Sequence, residues 1–231
     1  MRTEVVIAAG GKGERFGNNQ PKQFCPIAGK PILEWTLDKF EDCSLVDGII
    51  LVVPQGMIEY TKRKITLSRY KKIKKIVEGG KERTDSVYNG LSALEEDTQI
   101  VLIHDGVRPL VSTSLIELVI RKTEIYGAVI PGVPAKETVK EKNEENFVVK
   151  TLPRKKIYLI QTPQGFKKDL IKNAHTRAKL KDFKASDDAC LVENIGQRVY
   201  IIPGEEKNIK ITTCFDFKLA EILLKEEQKR I

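Results

Sequence analysis

The chain has 231 residues, of which 41% are hydrophobic and 31% charged, and its formal net charge is +8. These values are typical of a globular protein and exclude an acidic disordered chain and a collagen-like repeat. The basic excess favours a polyanionic partner, which could be nucleic acid, an anionic membrane surface or a small phosphorylated substrate.

The cysteines and the first residues bear on the compartment. The four cysteines (Cys25, Cys43, Cys190 and Cys214) form no CxxC pair, so neither a zinc ribbon nor a redox motif is indicated. The first apolar run, residues 5–9, is shorter than the core of a signal peptide, and no window approaches the roughly 20 apolar residues of a membrane span. We therefore expect a cytoplasmic protein without a membrane partner.

Short apolar runs alternate with amphipathic stretches along the first part of the chain. The runs predict strands at residues 4–8, 48–53, 74–77, 100–104 and 127–131. The amphipathic stretches predict helices at residues 32–40, 83–94 and 114–126. Such alternation is typical of βαβ units, so we expect an α/β fold with a mostly parallel, twisted sheet and helices on both faces.

The pattern changes after residue 134. Residues 137–142 and 147–152 read as two extended segments around the polar tip at 143–146, which predicts a β-hairpin. A lone hairpin with few large apolar residues is marginally stable, so we expect it to project and pack on a second subunit. The predicted organisation is one domain over residues 1–231 with a β-arm at about 135–154.

The remaining elements resume the α/β pattern. They are a strand at 157–161, helices at 167–179 and 187–194, and a strand at 198–202. A last helix is predicted to start near Thr213, because Thr213 and Asp216 have capping-box spacing. Its predicted apolar stripe consists of Leu219, Ile222 and Leu223.

The first strand runs into the glycine-rich segment AAGGKGERFG, residues 8–17, at the position where doubly wound sheets bind nucleotides. No GK[ST] follows, so the segment is not a P-loop, and Phe16 stands where a dinucleotide fingerprint needs glycine. Backbone groups at residues 8–11, with the cations Arg15 and Lys22, suit a triphosphate. The alternative is an ordinary glycine-rich turn with solvated charges.

Two further segments place polar groups at strand ends. In GGKERTDSV, residues 79–87, glycines expose backbone groups to a flat base while Arg83 and Ser86 offer donors; the alternative is a helix start capped by Thr84 or Asp85. In HDGVRP, residues 104–109, Asp105 and Arg108 end an apolar strand, and Asp105 is a candidate for ribose hydroxyls or a phosphate-bound metal ion.

His104 is expected to be structural, because strand alternation points it away from Asp105. The late segments QTPQGF and NIKITT, residues 161–166 and 208–213, add a polar turn and a lysine. There is no HExxH motif and no GxSxG elbow, so zinc-hydrolase and covalent chemistry have little support.

The ordered set AAGGKGERFG, PKQF, GGKERTDSV, HDGVRP, QTPQGF and NIKITT resembles the sugar-phosphate cytidylyltransferases over residues 8–221. The resemblance is closest to members that act on 2-C-methyl-D-erythritol 4-phosphate in the non-mevalonate isoprenoid pathway. It implies a Rossmann-like nucleotidyltransferase fold, transfer of a cytidylyl group from CTP with release of pyrophosphate, and a cytoplasmic homodimer in which a β-arm completes the partner's site.

The resemblance also implies roles for individual residues. Three cations would act on the phosphates and the transition state: Arg15, Lys22 and Lys210. Substrate would be bound by Ala8, Ala9, Gly10, Gly11, Gly80, Lys81, Arg83, Ser86, Asp105, Gly106, Arg108, Thr162 and Ser186, and by Thr138 and Arg154 of the partner's arm. Mg²⁺ would be held mainly by the CTP phosphates, and no metal site of the protein's own is expected.

Some positions depart from the family pattern. Lys81 stands where an acidic residue is common, Ser186 replaces a threonine, and Glu137 precedes Thr138 where aspartate is usual. The last change leaves ribitol 5-phosphate as an alternative substrate, whereas Arg154 and the GGxxRxDSV form favour methylerythritol phosphate.

A nucleic-acid-binding protein is the alternative from another class. It is suggested by the eight basic residues between positions 62 and 75. That stretch has a single aromatic residue, Tyr70, and no recognised RNA or DNA motif, so base stacking has little to rest on. We therefore expect no nucleic-acid partner.

Overall fold

A computed structural model describes residues 1–11 and 21–229 of the chain. Within these residues most strands join one mixed sheet, and two short hairpins stand apart from it. The strands are β1 Thr3–Ala8, β2 Pro26–Ile27, β3 Lys30–Pro31, β4 Gly48–Val53, β5 Ile73–Glu78, β6 Ile100–Asp105, β7 Ala128–Pro134, β8 Lys140–Lys142, β9 Val148–Thr151, β10 Tyr158–Ile160, β11 Gln164–Lys167 and β12 Tyr200–Pro203.

The helices are α1 Ile32–Glu41, α2 Ile58–Lys64, α3 Arg83–Ser92, α4 Thr113–Tyr126, α5 Lys168–Leu180, α6 Asp188–Asn194 and α7 Cys214–Gln228. At the start of α7 the Thr213 hydroxyl accepts a hydrogen bond from the Asp216 amide at 3.1 Å, and the Asp216 carboxylate accepts one from the Thr213 amide at 2.7 Å. The predicted capping box is therefore confirmed. No helix in the described ranges is long and apolar enough to cross a membrane.

The main sheet has the order β10-β7-β11-β6-β1-β4-β5, and β12 also pairs with β7. Strands β5, β4, β1 and β6 are parallel, while β11 lies antiparallel between β6 and β7. The expected α/β fold with a mostly parallel sheet is confirmed.

Both faces of the sheet are covered by helices. Side chains alternate between two cores: Val5 and Ile7 of β1 pack with α1 and α4, while Val6 packs with α3, α5 and α6. Strands buried on both faces are apolar at successive positions, which explains the continuous apolar runs that predicted β4 and β6. A third core lies beneath α7, around Ile32 and Ile211.

The strand order creates a crevice beside β1. From β1 the chain moves to β4 and β5 on one side and then returns to β6 on the other. The connections after β1 and β6 therefore leave the sheet in opposite directions, and a cleft opens at their carboxyl ends. Ala8 and Asp105 end these strands side by side in register, so the glycine-rich segment and the Asp105 turn share one edge of the sheet.

The structure contains a hairpin in the segment predicted to form an arm. Strands β8 and β9 pair only with each other among the described residues, and their side chains are exposed. At the start of β9, Phe147, Val148 and Val149 are 68%, 61% and 61% exposed. The hairpin therefore presents apolar side chains that this subunit does not cover.

Two sequence-based expectations are wrong. Residues 164–167 were expected in a polar turn and helix start but form β11, because β6 and β7 supply hydrogen-bonding partners on both sides. In α7 the buried positions are Ala220 and Leu224, whereas Ile222 of the predicted stripe is 57% exposed. Helix α7 has apolar residues on more than one face, and the elements packed against it decide which face is buried.

Gly90 allows α3 to approach the sheet. A Cβ here would lie 2.4 Å from Val6 Cγ1 and 2.9 Å from Val52 Cγ2. We expect Gly90→Ala to force α3 away from the sheet and to lower the free energy of unfolding by about 1–3 kcal/mol, measured by urea denaturation. Ser92→Ala is the matched control, because Ser92 is exposed in the same helix, and its effect should stay within about 0.5 kcal/mol. Equal stabilities for the two variants would contradict this account.

Candidate active site

A cleft of about 1260 Å³ opens at the carboxyl ends of β1, β4 and β6. Its volume is ample for a nucleotide-sized ligand. The described residues that line it are Ala8, Ala9, Gly10, Gly11, Lys22, Gln23, Pro54, Gln55, Met57, Gly80, Lys81, Glu82, Arg83, Ser86, Asp105, Val107, Lys210 and Thr212. The basic side chains in this set outnumber the acidic ones by four to two, which favours an anionic ligand.

The glycine-rich segment is held from below by a buried amide. Gln23 follows Lys22 in a 3₁₀ turn, and its Nε2 donates to the carbonyls of Ala9 at 2.6 Å and Gly11 at 3.1 Å. Gly10 faces Ser86, whose Oγ would lie 3.2 Å from a Cβ at that position. The backbone of residues 8–11 therefore faces the cleft, as expected. Arg15 lies outside the described residues.

The segment at residues 79–86 forms the opposite wall. The Ser86 hydroxyl donates to the carbonyl of Glu82 at 3.0 Å and accepts from the Gly80 amide at 3.1 Å. Helix α3 begins at Arg83, and its N-cap is Glu82 rather than Thr84 or Asp85. Asp85 instead accepts a hydrogen bond from the Glu82 amide at 3.1 Å. The loop is thus shaped by its own hydrogen bonds, which leave the backbone around Lys81 exposed to the cleft.

Asp105 is the charged centre of the floor. Its carboxylate lies 3.0 Å from Lys210 Nζ, 3.2 Å from Arg108 Nε and 3.5 Å from Arg83 Nε. Burial alone raises the pKa of Asp105, but the three cations together hold that pKa well below its ordinary value. Asp105 therefore stays ionised, and it brings together cations from distant parts of the chain.

Lys22 and Lys210 lie on the same side of the cleft. Lys22 Nζ donates to the carbonyl of Ile211 at 2.9 Å, which ties it to the residue that follows Lys210. The Ile211 amide in turn donates to the carbonyl of Val107 at 3.0 Å, so this strip is fixed to the Asp105 turn. The two lysines predicted to act on phosphates therefore reach the cleft from positions almost 190 residues apart.

Arg108, Thr162 and His104 lie next to Asp105 but do not belong to the described lining of the cleft. Arg108 Nη1 donates to the carbonyl of Asn208 at 2.8 Å. The Thr162 hydroxyl accepts from the Asp105 amide at 3.1 Å and lies 2.9 Å from His104 Nδ1. His104 Nε2 lies 3.2 Å from the carbonyl of Arg108 and must donate to it, so Nδ1 accepts from Thr162. These residues support the floor, and His104 is structural as expected.

Some predicted site residues lie elsewhere in this subunit. Gly106 is buried against Ala9, whose Cβ would be 2.9 Å from a Cβ at Gly106. Thr138 and Arg154 lie on or beside the hairpin, and with Ser186 they are exposed and absent from the described cleft lining. Their substrate-binding roles stay predictions.

Sequence reasoning missed the cleft residues Pro54, Gln55 and Met57, and assigned no role to Gln23. The first three follow β4, a parallel strand next to β1, so the strand-end rule that selected Asp105 could have found them. The role of Gln23 depends on tertiary contacts that its local sequence does not reveal.

Comparison with known proteins identifies the family. Residues 3–226 match the family model of 2-C-methyl-D-erythritol 4-phosphate cytidylyltransferase. The chain belongs to this family. The 2-C-methyl-D-erythritol 4-phosphate cytidylyltransferase of Clostridium perfringens is 49% identical over 220 residues, which cover 95% of this chain and 97% of that protein.

The similarity extends to the fold of solved structures. The 4-diphosphocytidyl-2C-methyl-D-erythritol synthase of Anaerococcus prevotii superposes with a TM-score of 0.86 and 33% identity, covering 97% of this chain and 96% of that chain. The cytidylyltransferase of Thermus thermophilus gives a TM-score of 0.80 at 33% identity, covering 97% and 100%. The predicted resemblance and the Rossmann-like nucleotidyltransferase fold are confirmed.

Buried His104 makes the stability of the folded protein depend on pH. Burial lowers the pKa of His104 from 6.5 to about 3. Because the unfolded chain takes up this proton near pH 6.5 and the folded chain does not, acidification from about pH 6.5 towards 3 removes up to about 1.4 kcal/mol of stability per pH unit. We expect wild type to unfold with a higher free energy than His104→Gln at pH 7. This difference, measured by urea denaturation, should become smaller at pH 5. A constant gap would contradict neutral burial of His104.

Proposed function

We propose that the protein transfers the cytidylyl group of CTP to 2-C-methyl-D-erythritol 4-phosphate, giving 4-diphosphocytidyl-2-C-methyl-D-erythritol and pyrophosphate in non-mevalonate isoprenoid synthesis. The observation that carries the proposal is the cleft at the carboxyl ends of β1 and β6, where Lys210 and Arg83 lie beside Asp105 and Lys22 joins the same lining. Family membership gives the substrates that this cationic cleft fits.

The reaction requires stabilisation of negative charge and positioning of the two substrates more than it requires a general base. The second pKa of a phosphate monoester is about 6, so the attacking oxygen is largely ionised at neutral pH. That oxygen forms a bond to the α-phosphorus of CTP, and the bond from the α-phosphorus to the bridging oxygen breaks, so pyrophosphate leaves with the electron pair. Cations that offset the repulsion between the two phosphates and stabilise the in-line transition state are what the reaction requires.

The described lining offers no activated nucleophile for a covalent intermediate. The Ser86 hydroxyl is used in the loop that precedes α3, and the Thr212 hydroxyl donates to Asp216 at 2.7 Å. Neither hydroxyl has a histidine beside it in the described lining. We therefore infer direct transfer, with Lys22, Lys210 and Arg15 acting on the phosphates and the backbone of Gly80 and Lys81 beside the cytosine.

Mg²⁺ is proposed to enter with the nucleotide. The described residues contain no cluster of three or more acidic, histidine or cysteine side chains that could hold a metal ion. The acidic side chains of the described lining are Glu82 and Asp105, and Asp105 is already paired with Lys210, Arg108 and Arg83. This fits an ion that is bound mainly by the nucleotide phosphates and offsets their charge.

The homodimer is proposed from the hairpin. Its exposed apolar side chains are not covered by the described residues of this subunit, and Thr138 and Arg154, which flank the two strands, are absent from the described lining of their own cleft. We propose that they reach the sugar phosphate in the partner's cleft. We also propose a cytoplasmic location, because the four cysteines form no CxxC pair and indicate no redox motif.

The direct test is to follow pyrophosphate release from CTP and Mg²⁺ with either methylerythritol 4-phosphate or ribitol 5-phosphate. We expect release with the first and at least about tenfold slower release with the second, because polar substituents are discriminated strongly by a hydrogen-bonding site. Ribitol phosphate stays the second candidate because Glu137 precedes Thr138. Release with ribitol phosphate alone would overturn the assignment, and labelling of the protein by CTP alone would overturn direct transfer.

The shared site can be tested by mixing two inactive variants. Lys210→Ala damages the cleft and Arg154→Ala damages the arm, so each homodimer should have greatly reduced turnover. Refolding them together should restore about a quarter of wild-type activity, because half of the dimers then contain one intact cleft with one intact arm. Lys155→Ala, an exposed neighbour of Arg154, should stay active alone. Failure of the mixture to exceed the separate variants would show that each subunit uses its own arm or none.

A further inference from the structure

Asp188 and His175 form a buried pair behind the cleft. Asp188 opens α6 and His175 lies in α5, and each side chain is 1% exposed. His175 Nε2 lies 3.0 Å from Asp188 Oδ1. Neither residue belongs to the described cleft lining, so direct contact with substrate does not explain them.

The pair reaches the cleft through Arg83. Arg83 Nη1 lies 2.7 Å from Asp188 Oδ2, while Arg83 Nε is 3.5 Å from Asp105 Oδ1. Arg83 therefore spans two carboxylates, and Asp188 is the closer. Burial raises the pKa of Asp188, but Arg83 and His175 together hold it below its ordinary value, so the carboxylate is ionised.

The fold alone gives little reason for this arrangement. The core around the pair includes the apolar residues Ile171, Ala174 and Ala189. Burying an ion costs several kcal/mol, and apolar residues of similar volume often stabilise a core equally well. The orientation is also specific: His175 Nδ1 has no hydrogen-bond partner among the described residues, and an unpartnered lone pair costs less than an unpartnered N–H. His175 Nε2 therefore donates to Asp188.

The charges around Asp105 supply the reason. Lys210, Arg108 and Arg83 all lie within 3.5 Å of one carboxylate. Without Asp188, three cations would share that single anion, and their mutual repulsion would displace one of them. Arg83 is the cation that has a second anion at shorter range.

We propose that Asp188, oriented by His175, is a positioning residue that holds Arg83 at the cleft wall and leaves Asp105 to Lys210 and Arg108. The proposal rests on the proposed function, because it concerns the geometry of that site. It assigns Asp188 no contact with either substrate.

A double-mutant cycle tests the proposal. Asp188→Asn should lower kcat/KM about tenfold or more, since the buried ion pair that holds Arg83 at 2.7 Å loses its negative charge. In an Arg83→Gln background the same change should alter kcat/KM less than about twofold, because its target is gone. Losses that multiply in the double variant would overturn the proposal.

Glu193→Gln is the matched control. Glu193 lies in the same helix, α6, and its side chain is exposed. Removing an exposed carboxylate should leave kcat/KM within about twofold of wild type. A loss equal to that of Asp188→Asn would show a general effect of α6 and overturn the positioning role.

A readout without turnover separates this proposal from the proposed function. The Nε–H signal of Arg83 in ¹⁵N NMR, assigned by its loss in Arg83→Gln, should exchange slowly with solvent in wild type and faster in Asp188→Asn. If Asp188→Asn does not fold, His175→Leu serves, with a smaller acceleration expected. Unchanged Arg83 exchange in the folded variant would overturn the proposal, whereas a wild type without turnover would overturn only the proposed function.

Discussion

Asp105 holds cations from three separate parts of the chain, and the geometry of the cleft depends on this contact. A carboxylate that is 6% exposed is stable as an anion only when positive groups surround it. Lys210, Arg108 and Arg83 provide that charge. The anion also keeps basic side chains close together that would otherwise repel one another, so a phosphate ligand meets them already gathered.

The sheet determines where this anion can stand. Asp105 ends β6 beside the end of β1, at the point where the strand order reverses. Beneath it, neutral His104 and Thr162 fix the backbone through hydrogen bonds. The floor is therefore held by hydrogen bonds, while Lys210, with a side chain 38% exposed, stays accessible to a ligand. A fixed anion with accessible cations suits a reaction that brings two phosphorylated substrates together.

The walls are made by close approach of backbone. Gly80 could not be any other residue without a shift, since a Cβ there would lie 2.2 Å from Asp85 Cβ. On the other side, the Gln23 amide holds the carbonyls of Ala9 and Gly11. Hydrogen bonds and glycines thus shape both walls, and the walls surround a charged floor. This division fits a site that recognises a base through backbone groups and phosphates through side-chain cations.

Much of this could be predicted from the sequence. Apolar runs and amphipathic periods located the central strands and helices, because burial on both faces of a sheet leaves a direct mark on composition. The motifs selected most cleft residues, including Lys22 and Lys210, and the family resemblance gave their chemistry. The capping box of α7 was equally readable, because it depends on residues three apart.

What the sequence by itself determined is local: element type, capping and the motifs at strand ends. Only the tertiary structure decided that residues 164–167 are a strand, that α7 buries Ala220 and not Ile222, and that Arg83 lies closer to Asp188 than to Asp105. Each of these depends on a partner distant in the chain, which supplies the hydrogen bonds, the packing surface or the opposite charge. Such partners leave no periodic trace in the sequence near the residue they affect.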